Sequence, residues 1–279
     1  MQFYFVHNYK QYQNLLESEK DKINLHLAYI NEIIPNNEQI FYVQGYSNVS
    51  HRIVNFLCDF QHSMGFPNVN WRESVLCPDT GFNNRMRFSI HLIESFLNLN
   101  SNSNVYLMEQ VTPLYNYLIK LYPTLLGSEY LKNSTFLGSA NTLGIRNEDA
   151  TALTFQDNSF DAILSFDVFE HIPNVNLALS ECFRVLKNGG KLLLSVPFNI
   201  NNEKNLTRSI INDNGEIIHL LEPEYHGDPI GDGILCFHHF GWEFLDDLKL
   251  AGFRDVCAIL GWSTEYGHLT PQIQFMAVK

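Results

Sequence analysis

The first third of the chain combines helical patterns with less regular segments. Apolar residues recur at helical spacing through residues 10–34, and Pro35-Asn36-Asn37 then interrupts the pattern, which predicts a helix over 10–34. Residues 39–84 mix short β-rich pieces with turn sequences. Residues 85–99 predict a second, amphipathic helix.

After a polar run at 100–104, strand patterns and helix patterns alternate along the chain. The predicted strands are 105–109, 124–131, 161–168, 191–198 and 273–279, and the predicted helices are 112–122, 176–186 and 242–253. Thr112 is the expected N-cap of the first of these helices, with Pro113 as its first residue, and the glycine pair in 187–190 is expected to end the second. Such alternation predicts an α/β protein with a mostly parallel sheet and helices on both faces. We therefore expect an N-terminal α+β accessory region, 1–100, and a second domain, 101–279.

Composition narrows the range of partners and compartments. The chain has 279 residues, 45% hydrophobic content and a net charge of −12. A surplus of acidic residues argues against nucleic acid or an anionic membrane as the main partner. The N-terminal sequence has no signal-peptide pattern, and no apolar stretch reaches membrane-spanning length. The five cysteines lie far apart, which favours reduced thiols, so we expect a cytoplasmic protein.

Polar residues follow the predicted strands where a ligand site is expected. In an open α/β sheet, ligands bind beyond the carboxyl ends of the strands. Glu129 ends the second strand, about 20 positions after Glu109, which suits an acid that accepts hydrogen bonds from the two hydroxyls of a nucleoside ribose. The residues at these ends are Glu109, Gln110, Glu129, Ser165, Phe166 and Asp167, and the loop before the third strand adds Glu148 and Asp149. Each acid taken alone is equally well a helix cap or a solvated loop charge.

One long segment carries a family pattern. The stretch NEDATALTFQDNSFDAILSFDVFEHIPNVNLALSECFRVLKNGGKLLLSVPF, with its EHIP turn, resembles the class I S-adenosylmethionine-dependent methyltransferases, specifically the type 11-like subgroup. The resemblance implies a Rossmann-like fold with S-adenosyl-L-methionine as cofactor. It also implies that Glu129 holds the ribose, Asp149 holds the adenine, and Ser165–Asp167 lines the cofactor, with Glu109, Gln110 and Glu148 as further candidate contacts.

The turn after the first strand departs from that family. Methyltransferases of this class have a glycine-rich turn there, which lets the backbone approach the cofactor. The equivalent sequence here, EQVTPL, contains no glycine. Either the loop takes another path or affinity for the cofactor is reduced or lost, and the combination of EQVTPLY with GSEYL favours the first interpretation.

Three histidines are candidate catalytic residues: His171, His219 and His226. His171 lies in the EHIP turn, and the other two lie in HLLEPEYHGDP, at 219–229, with Glu222, Glu224 and Asp228. This segment could shape an acceptor pocket, supply a general base or bind a metal, or it could be a polar loop packed over the site. Its spacing matches no metal signature, so we expect no metal.

The accessory region carries two pairs at the spacing of a zinc ribbon. Ser47 with Ser50, and Cys77 with Thr80, stand where relatives of this type carry Cys-x-x-Cys pairs. One thiolate cannot hold a tetrahedral zinc ion alone. We therefore expect a degenerate, metal-free zinc-ribbon-like region, held by hydrogen bonds and packing.

The pattern as a whole favours methyl transfer to a small-molecule or sugar-containing acceptor. Two alternatives stay open: a non-catalytic binding protein with the same fold, and a metal-dependent hydrolase that uses the 219–228 cluster. A homodimer is compatible with the sequence but not indicated by it.

Overall fold

A computed structural model describes residues 1–37, 39–132, 135–227, 231 and 233–279. The chain divides into two compact units: residues 1–98 with 258–273, and residues 99–257 with 274–279. Asp228, from the predicted 219–228 cluster, lies outside the described residues. No helix within the described ranges is long and apolar enough to cross a membrane.

The described residues of the first unit form three helices and several antiparallel strands. Its elements are β1 (Gln2–Val6), α1 (Tyr9–Ser18), α2 (Lys20–Ile33), β2 (Phe41–Ser47), β3 (Arg52–Cys58) and α3 (Asn84–Phe96). Strands β2 and β3 form an antiparallel hairpin. The antiparallel partner of β1 is the segment 258–262.

The predicted helix over 10–34 is wrong in one respect, because two helices occupy the region. The break falls at Glu19, whose backbone leaves the helical region at φ −104° and ψ 9°. Just before it, the Ser18 hydroxyl donates to the Leu15 carbonyl, which competes with the helical ladder. The apolar spacing continues across this single residue, so periodicity alone does not reveal the break.

The second unit is built on a mostly parallel sheet. Its elements are β4 (Val105–Leu107), α4 (Pro113–Leu121), β5 (Leu126–Gly127), β6 (Phe160–Phe166), a 3-10 helix (Phe169–His171), α5 (Val175–Val185), β7 (Leu186–Ser195), β8 (Leu206–Thr207), β9 (Ser209–Ile211), β10 (Ile217–His219), β11 (Tyr225–His226), β12 (Ile234–Leu235), β13 (His238–His239) and α6 (Phe244–Leu250). Two further strands, β14 (Arg254–Ser263) and β15 (His268–Val278), have residues in both units.

Strands β5, β4, β6 and β7 lie side by side in that order and are all parallel. Residues 275–278 of β15 continue the sheet antiparallel to β7. The centres of β6 and β7 are fully buried, with Ile163, Leu164, Leu192 and Leu193 among the core residues. The predicted α/β class with a mostly parallel sheet is confirmed. Four two-stranded antiparallel sheets accompany it in the described parts of the chain.

Helix α4 begins as its sequence predicts. The Thr112 side chain accepts a hydrogen bond from the Tyr115 N–H, and Pro113 is the first helical residue. The local signals for this helix therefore identify its N-terminus to the residue.

The sequence predicts that the glycine pair in 187–190 ends a helix, and this prediction is wrong. The pair lies within β7. Helix α5 ends at Val185, and Leu186 is already extended, with φ −70° and ψ 142°. The pairing register of β6 and β7 shifts between Phe160 and Ala162, opposite this segment. Gly189 adopts φ 80°, a conformation that favours glycine, and its N–H donates to the Lys279 carbonyl. The glycines thus accommodate an irregularity at the start of a strand.

Candidate functional site

The turn after β4 is held by a carboxylate from the end of β5. Glu129 Oε1 accepts hydrogen bonds from the backbone N–H groups of Gln110, at 2.7 Å, and Val111, at 3.0 Å. A charged acceptor strengthens both bonds. The half-buried Glu109 precedes this pair directly. The acid that the sequence assigned to a ribose therefore also fixes the path of the glycine-free turn.

The Gln110 side chain fixes the same turn from its other side. Its Nε2 donates to the Gly144 carbonyl at 2.9 Å, and its Oε1 accepts from the Arg146 N–H at 2.8 Å. Close approach of the two strand ends depends on Gly127, the last residue of β5. A Cβ atom there would lie 2.7 Å from the Glu109 carbonyl oxygen and 2.5 Å from the Tyr115 ring. The turn itself contains no glycine, but the neighbouring strand needs one at position 127 so that its backbone can lie close to the turn.

Two further acids lie beside Glu129 on the segment 146–149. The Glu129 N–H donates to the Arg146 carbonyl, and the Glu148 N–H donates to the Glu129 carbonyl. The Glu148 side chain is buried and bonded to Arg146 Nε at 2.8 Å and to the Thr154 hydroxyl and N–H. Asp149 Oδ1 accepts from the N–H and hydroxyl of Thr151, at 2.8 and 2.6 Å. The backbone thus brings Glu129, Glu148 and Asp149 to one edge of the sheet.

The end of β6 supplies the third set of predicted contacts. Ser165 is fully buried, and its hydroxyl has no hydrogen-bond partner among the described residues. Phe166 is also buried. Asp167 adopts φ 57°, an uncommon conformation that aspartate tolerates better than most residues. Its Oδ1 accepts from the Ser195 hydroxyl at 2.8 Å, and its N–H donates to the Ser195 carbonyl. The chain therefore bends sharply at Asp167, where β6 has ended.

The structure brings two of the three candidate histidines together. The rings of His171 and His226 are 5.0 Å apart and nearly perpendicular. His219 has a different environment: it is exposed in β10, and its Nδ1 lies 2.9 Å from the Ser209 hydroxyl. Between the paired histidines lies Glu170, which is fully buried.

The Glu170 carboxylate was missed as a site residue, although it precedes His171 directly in EHIP. Sequence pattern shows where this acid stands but not its burial. Burial raises the pKa of the Glu170 carboxyl, with the nearby Asp167 charge acting in the same direction. Contacts with the Cys236 thiol, Glu170 and Glu224 raise the pKa of His226 to about 11 against the opposing effect of burial.

Glu224 is the second acid of this cluster. Its Oε1 accepts from His226 Nε2 at 3.0 Å and from His239 Nε2 at 3.1 Å, and its Oε2 lies 3.3 Å from Arg208 Nη2. Burial raises the pKa of the Glu224 carboxyl, but the bonds from the two histidines outweigh it and hold the pKa below its usual value. Glu224 is therefore an anion with several donors.

In the first unit, the four positions with zinc-ribbon spacing converge on one thiol. The Ser47 and Ser50 hydroxyls are 2.9 Å apart and lie 3.4 and 3.2 Å from Cys77 Sγ. Burial raises the pKa of the Cys77 thiol, but hydrogen bonds from Ser47, Ser50, Thr80 and the Asp79 N–H together bring it below its ordinary value. Hydrogen bonds hold these turns together. The zinc-ribbon-like origin of the region stays a prediction.

Comparison with known proteins identifies one part of the chain. A family model described as a methyltransferase domain matches residues 113–194. Phosphoethanolamine N-methyltransferase 2 of Caenorhabditis elegans is 42% identical over 48 residues, which are 17% of this chain and 11% of that protein. Sterol 24-C-methyltransferase of Gibberella zeae is 32% identical over 124 residues, which are 42% of this chain and 31% of that protein. The chain thus spans less than a third of the length of these two curated relatives.

Among solved structures, an S-adenosylmethionine-dependent methyltransferase from Mesorhizobium loti is a distant match. It has 15% sequence identity and a TM-score of 0.39, and the match covers 65% of this chain and 94% of that one. The segment that the family model matches begins at α4 and ends inside β7, so it includes the ends of β5 and β6. Residues 113–194 are therefore the part of the chain that is similar to the methyltransferase domain family.

Proposed function

We propose that the chain is an S-adenosylmethionine-dependent methyltransferase that binds its cofactor at the carboxyl ends of β4, β5 and β6. The observation that carries the proposal is the family match over 113–194, which includes Glu129, Asp149 and Ser165–Asp167. A buried hydroxyl without a partner among the described residues, that of Ser165, fits a contact with a bound ligand at this edge.

Each predicted contact has a role in this proposal. Glu129 accepts hydrogen bonds from the ribose while it holds the turn, and Asp149 accepts from the adenine amine. The ribose and the adenine are enclosed by Glu109, Gln110, Glu148 and the end of β6. The cofactor supplies an electrophilic methyl group. The acceptor atom supplies an electron pair, and a base removes its proton where it carries one.

We propose His171 as the base, because it lies beyond the end of β6 beside His226, whose raised pKa keeps that second ring protonated. His219 has a separate hydrogen-bond partner on β9, so we assign it no part in proton transfer. We propose a small-molecule acceptor, sugar-containing or not. The curated relatives carry the names of phosphoethanolamine and sterol methyltransferases, so their names agree on small molecules and differ in which one.

Calorimetric titration with S-adenosylmethionine and its demethylated product tests the proposal. Glu129→Gln and Glu129→Ala separate the two roles of the acid. The glutamine variant keeps an oxygen for the Gln110 and Val111 N–H groups but loses the charge. We expect it to lose less stability than the alanine variant, because the two hydrogen bonds are weakened but kept, and to weaken cofactor binding by about 1–3 kcal/mol. We expect the alanine variant to lose both affinity and stability.

Glu216→Gln is the matched control, because among the described residues this exposed acid accepts a hydrogen bond from Asn212, across its own hairpin. Failure of the parent protein to bind either nucleoside would contradict the proposal. Transfer of a labelled methyl group to candidate acceptors then separates an enzyme from a binding protein with the same fold.

A further inference from the structure

The Glu170 carboxylate is buried without a hydrogen-bond donor. It is fully inaccessible to solvent, and neither Oε1 nor Oε2 has a hydrogen-bond partner among the described residues. An unpaired carboxylate in such a place is costly, so a proton or a cation has to neutralise it. The structure around it favours a cation.

Two imidazole nitrogens lie at equal distances from one Glu170 oxygen. His171 Nε2 is 3.6 Å and His226 Nδ1 is 3.7 Å from Oε1, which is too long for a hydrogen bond. Ligand atoms about 2.1 Å from a tetrahedral zinc ion lie about 3.4 Å from one another. All three atoms lie within 4.8 Å of one another. The two distances to Glu170 Oε1 are thus within a few tenths of an ångström of those in a metal site.

Both imidazoles are oriented as metal ligands usually are. His171 Nδ1 lies 2.9 Å from the Leu235 carbonyl oxygen, and His226 Nε2 lies 3.0 Å from Glu224 Oε1. These oxygens only accept, so the nitrogen facing each of them carries the proton. A metal ion that displaces any second proton of the ring would then bind the other nitrogen, on the Glu170 side, through its lone pair. Such outer hydrogen bonds to carbonyl and carboxylate oxygens fix the tautomer of metal-bound histidines.

We propose that Glu170, His171 and His226 bind one divalent transition-metal ion of the zinc class. Two neutral imidazoles and a carboxylate form the donor set of many catalytic metal sites, in which a further position stays open for water or substrate. Glu224 supports the site by holding His226, and is itself held by His239 and Arg208.

A second set of donors, Glu224, His226 and Cys236, also lies within 4.8 Å. It is the weaker candidate for two reasons. The Cys236 thiol donates to the His238 carbonyl, and Glu224 Oε1 already accepts from two imidazoles. A metal at this second set would displace those bonds, whereas a metal at Glu170 would satisfy a carboxylate that lacks donors.

The position of the site suggests a role in methyl transfer, and this role rests on the proposed function. Glu170 follows the end of β6 by four residues. With His171 and His226 as its ligands, a metal with an open position there would take over the task of the base: it would bind a hydroxyl oxygen of the acceptor and lower its pKa, so that the proton leaves to water. The alkoxide oxygen would then bond to the methyl carbon of the cofactor while the carbon–sulfur bond breaks and its electron pair stays on the sulfur of the demethylated cofactor. The metal would thus favour oxygen acceptors over carbon acceptors.

Metal content of the full-length protein, purified without chelators and measured by mass spectrometry, tests the site without any cofactor. We expect about one zinc-class ion per chain. After chelator dialysis, titration with Zn²⁺ should restore it. Glu170→Gln and His226→Asn should each weaken Zn²⁺ binding more than about tenfold, since even supporting partners of a metal ligand contribute that much. His219→Asn is the matched histidine control and should bind as the parent does.

Two results would overturn the proposal. One is a parent protein that neither retains nor binds Zn²⁺, Co²⁺ or Mn²⁺, which would show that a proton on His226 neutralises Glu170 instead. The other is loss of the metal in Cys236→Ser but not in Glu170→Gln, which would place it at the second set. Thiolate-to-cobalt absorption in the Co²⁺ form reports the same distinction on the unmutated protein, so the test does not depend on every variant folding. Failure to bind S-adenosylmethionine would leave these results unchanged and would contradict only the proposed function.

Discussion

Replacing Gly127 by alanine tests whether the approach of β5 to the glycine-free turn stabilises the fold. A Cβ at this position would lie 2.7 Å from the Glu109 carbonyl oxygen and 2.5 and 2.8 Å from two atoms of the Tyr115 ring. The half-buried ring can move aside in part, but the carbonyl belongs to the turn that Glu129 holds. The strand or the turn therefore has to shift by roughly half an ångström, a form of overpacking that costs about 1–3 kcal/mol.

We expect Gly127→Ala to lower the melting temperature by about 2–12 °C, from the usual relation between stability and melting temperature for domains of this size. Circular dichroism on heating and in urea measures the change. Because the turn moves with the strand, calorimetry should also show weaker binding of S-adenosylmethionine.

Gly227→Ala is the matched control for this experiment. Its φ is not in the left-handed region, and among the described residues a Cβ there meets nothing within 4 Å. We expect it to leave stability unchanged or to raise it by up to about 1 kcal/mol, because alanine restricts the unfolded chain. If Gly127→Ala behaved in the same way, the close contact between β5 and the turn would have no part in stability, and the reasoning would be refuted.

Three further predictions concern buried polar groups. Glu148→Gln should lower the free energy of unfolding by about 1–3 kcal/mol in urea titrations, because Arg146 and Thr154 lose a charged acceptor; an unchanged midpoint would contradict this. Ser165→Ala should leave the unliganded protein as stable or more stable, since it removes a buried hydroxyl without a partner, and should weaken cofactor binding; a loss of stability would argue against it. Burial lowers the pKa of His91 to about 4, with the N-terminus and Arg87 acting in the same direction, so the unfolded chain takes up a proton below about pH 6.5 and the folded chain does not. Stability should therefore fall between pH 6.5 and 4, and His91→Gln should reduce that fall by on the order of 2 kcal/mol; an equal fall in both proteins would refute the assignment.

Local signals made the second unit predictable from its sequence. The Thr112–Pro113 pair marks the start of α4, and the apolar runs of β6 and β7 are long enough to stand out. The predicted bounds of short strands were less accurate. Strand β5 has only two residues, whereas the pattern predicted eight positions, because apolar residues next to a strand pack in the core without joining its ladder.

The sequence could not predict the hydrogen-bond partners of the residues in the candidate site. The positions of Glu129 and Asp149 at strand ends follow from the strand pattern. That the Glu129 carboxylate would bond the N–H groups of Gln110 and Val111 does not, since an acid at a strand end has many acceptable donors. The ion pair between Glu148 and Arg146 could have been predicted, because Arg146 stands two positions before Glu148 and the two side chains lie on the same side of an extended segment.

Contacts between residues far apart in the sequence were also unpredictable, as Glu170, His171 and His226 show. Fifty-five positions separate His171 from His226, and their spacing alone matched no metal signature. Burial of Glu170 is a property of the fold, and it makes one glutamate and two histidines a candidate ligand set. His219, seven positions before His226, is identical in type but stands exposed in another hairpin.

The bend at Asp167 explains how one strand end serves two different chemistries. Up to this residue the chain runs parallel to β7, and its last bonds are to Ser195. Beyond it, the Glu170 carbonyl accepts from the Phe237 N–H at 2.7 Å, and His171 Nδ1 lies 2.9 Å from the Leu235 carbonyl. Backbone groups on both sides thus fix the 3-10 helix that carries Glu170 and His171, independently of any bound ion. Removal of the proposed metal by a chelator should therefore change methyl transfer while leaving S-adenosylmethionine affinity within about threefold of its starting value, because the proposed nucleoside contacts precede the bend. A parallel loss of both would mean that the two sites share one mobile element, and that the bend does not separate them.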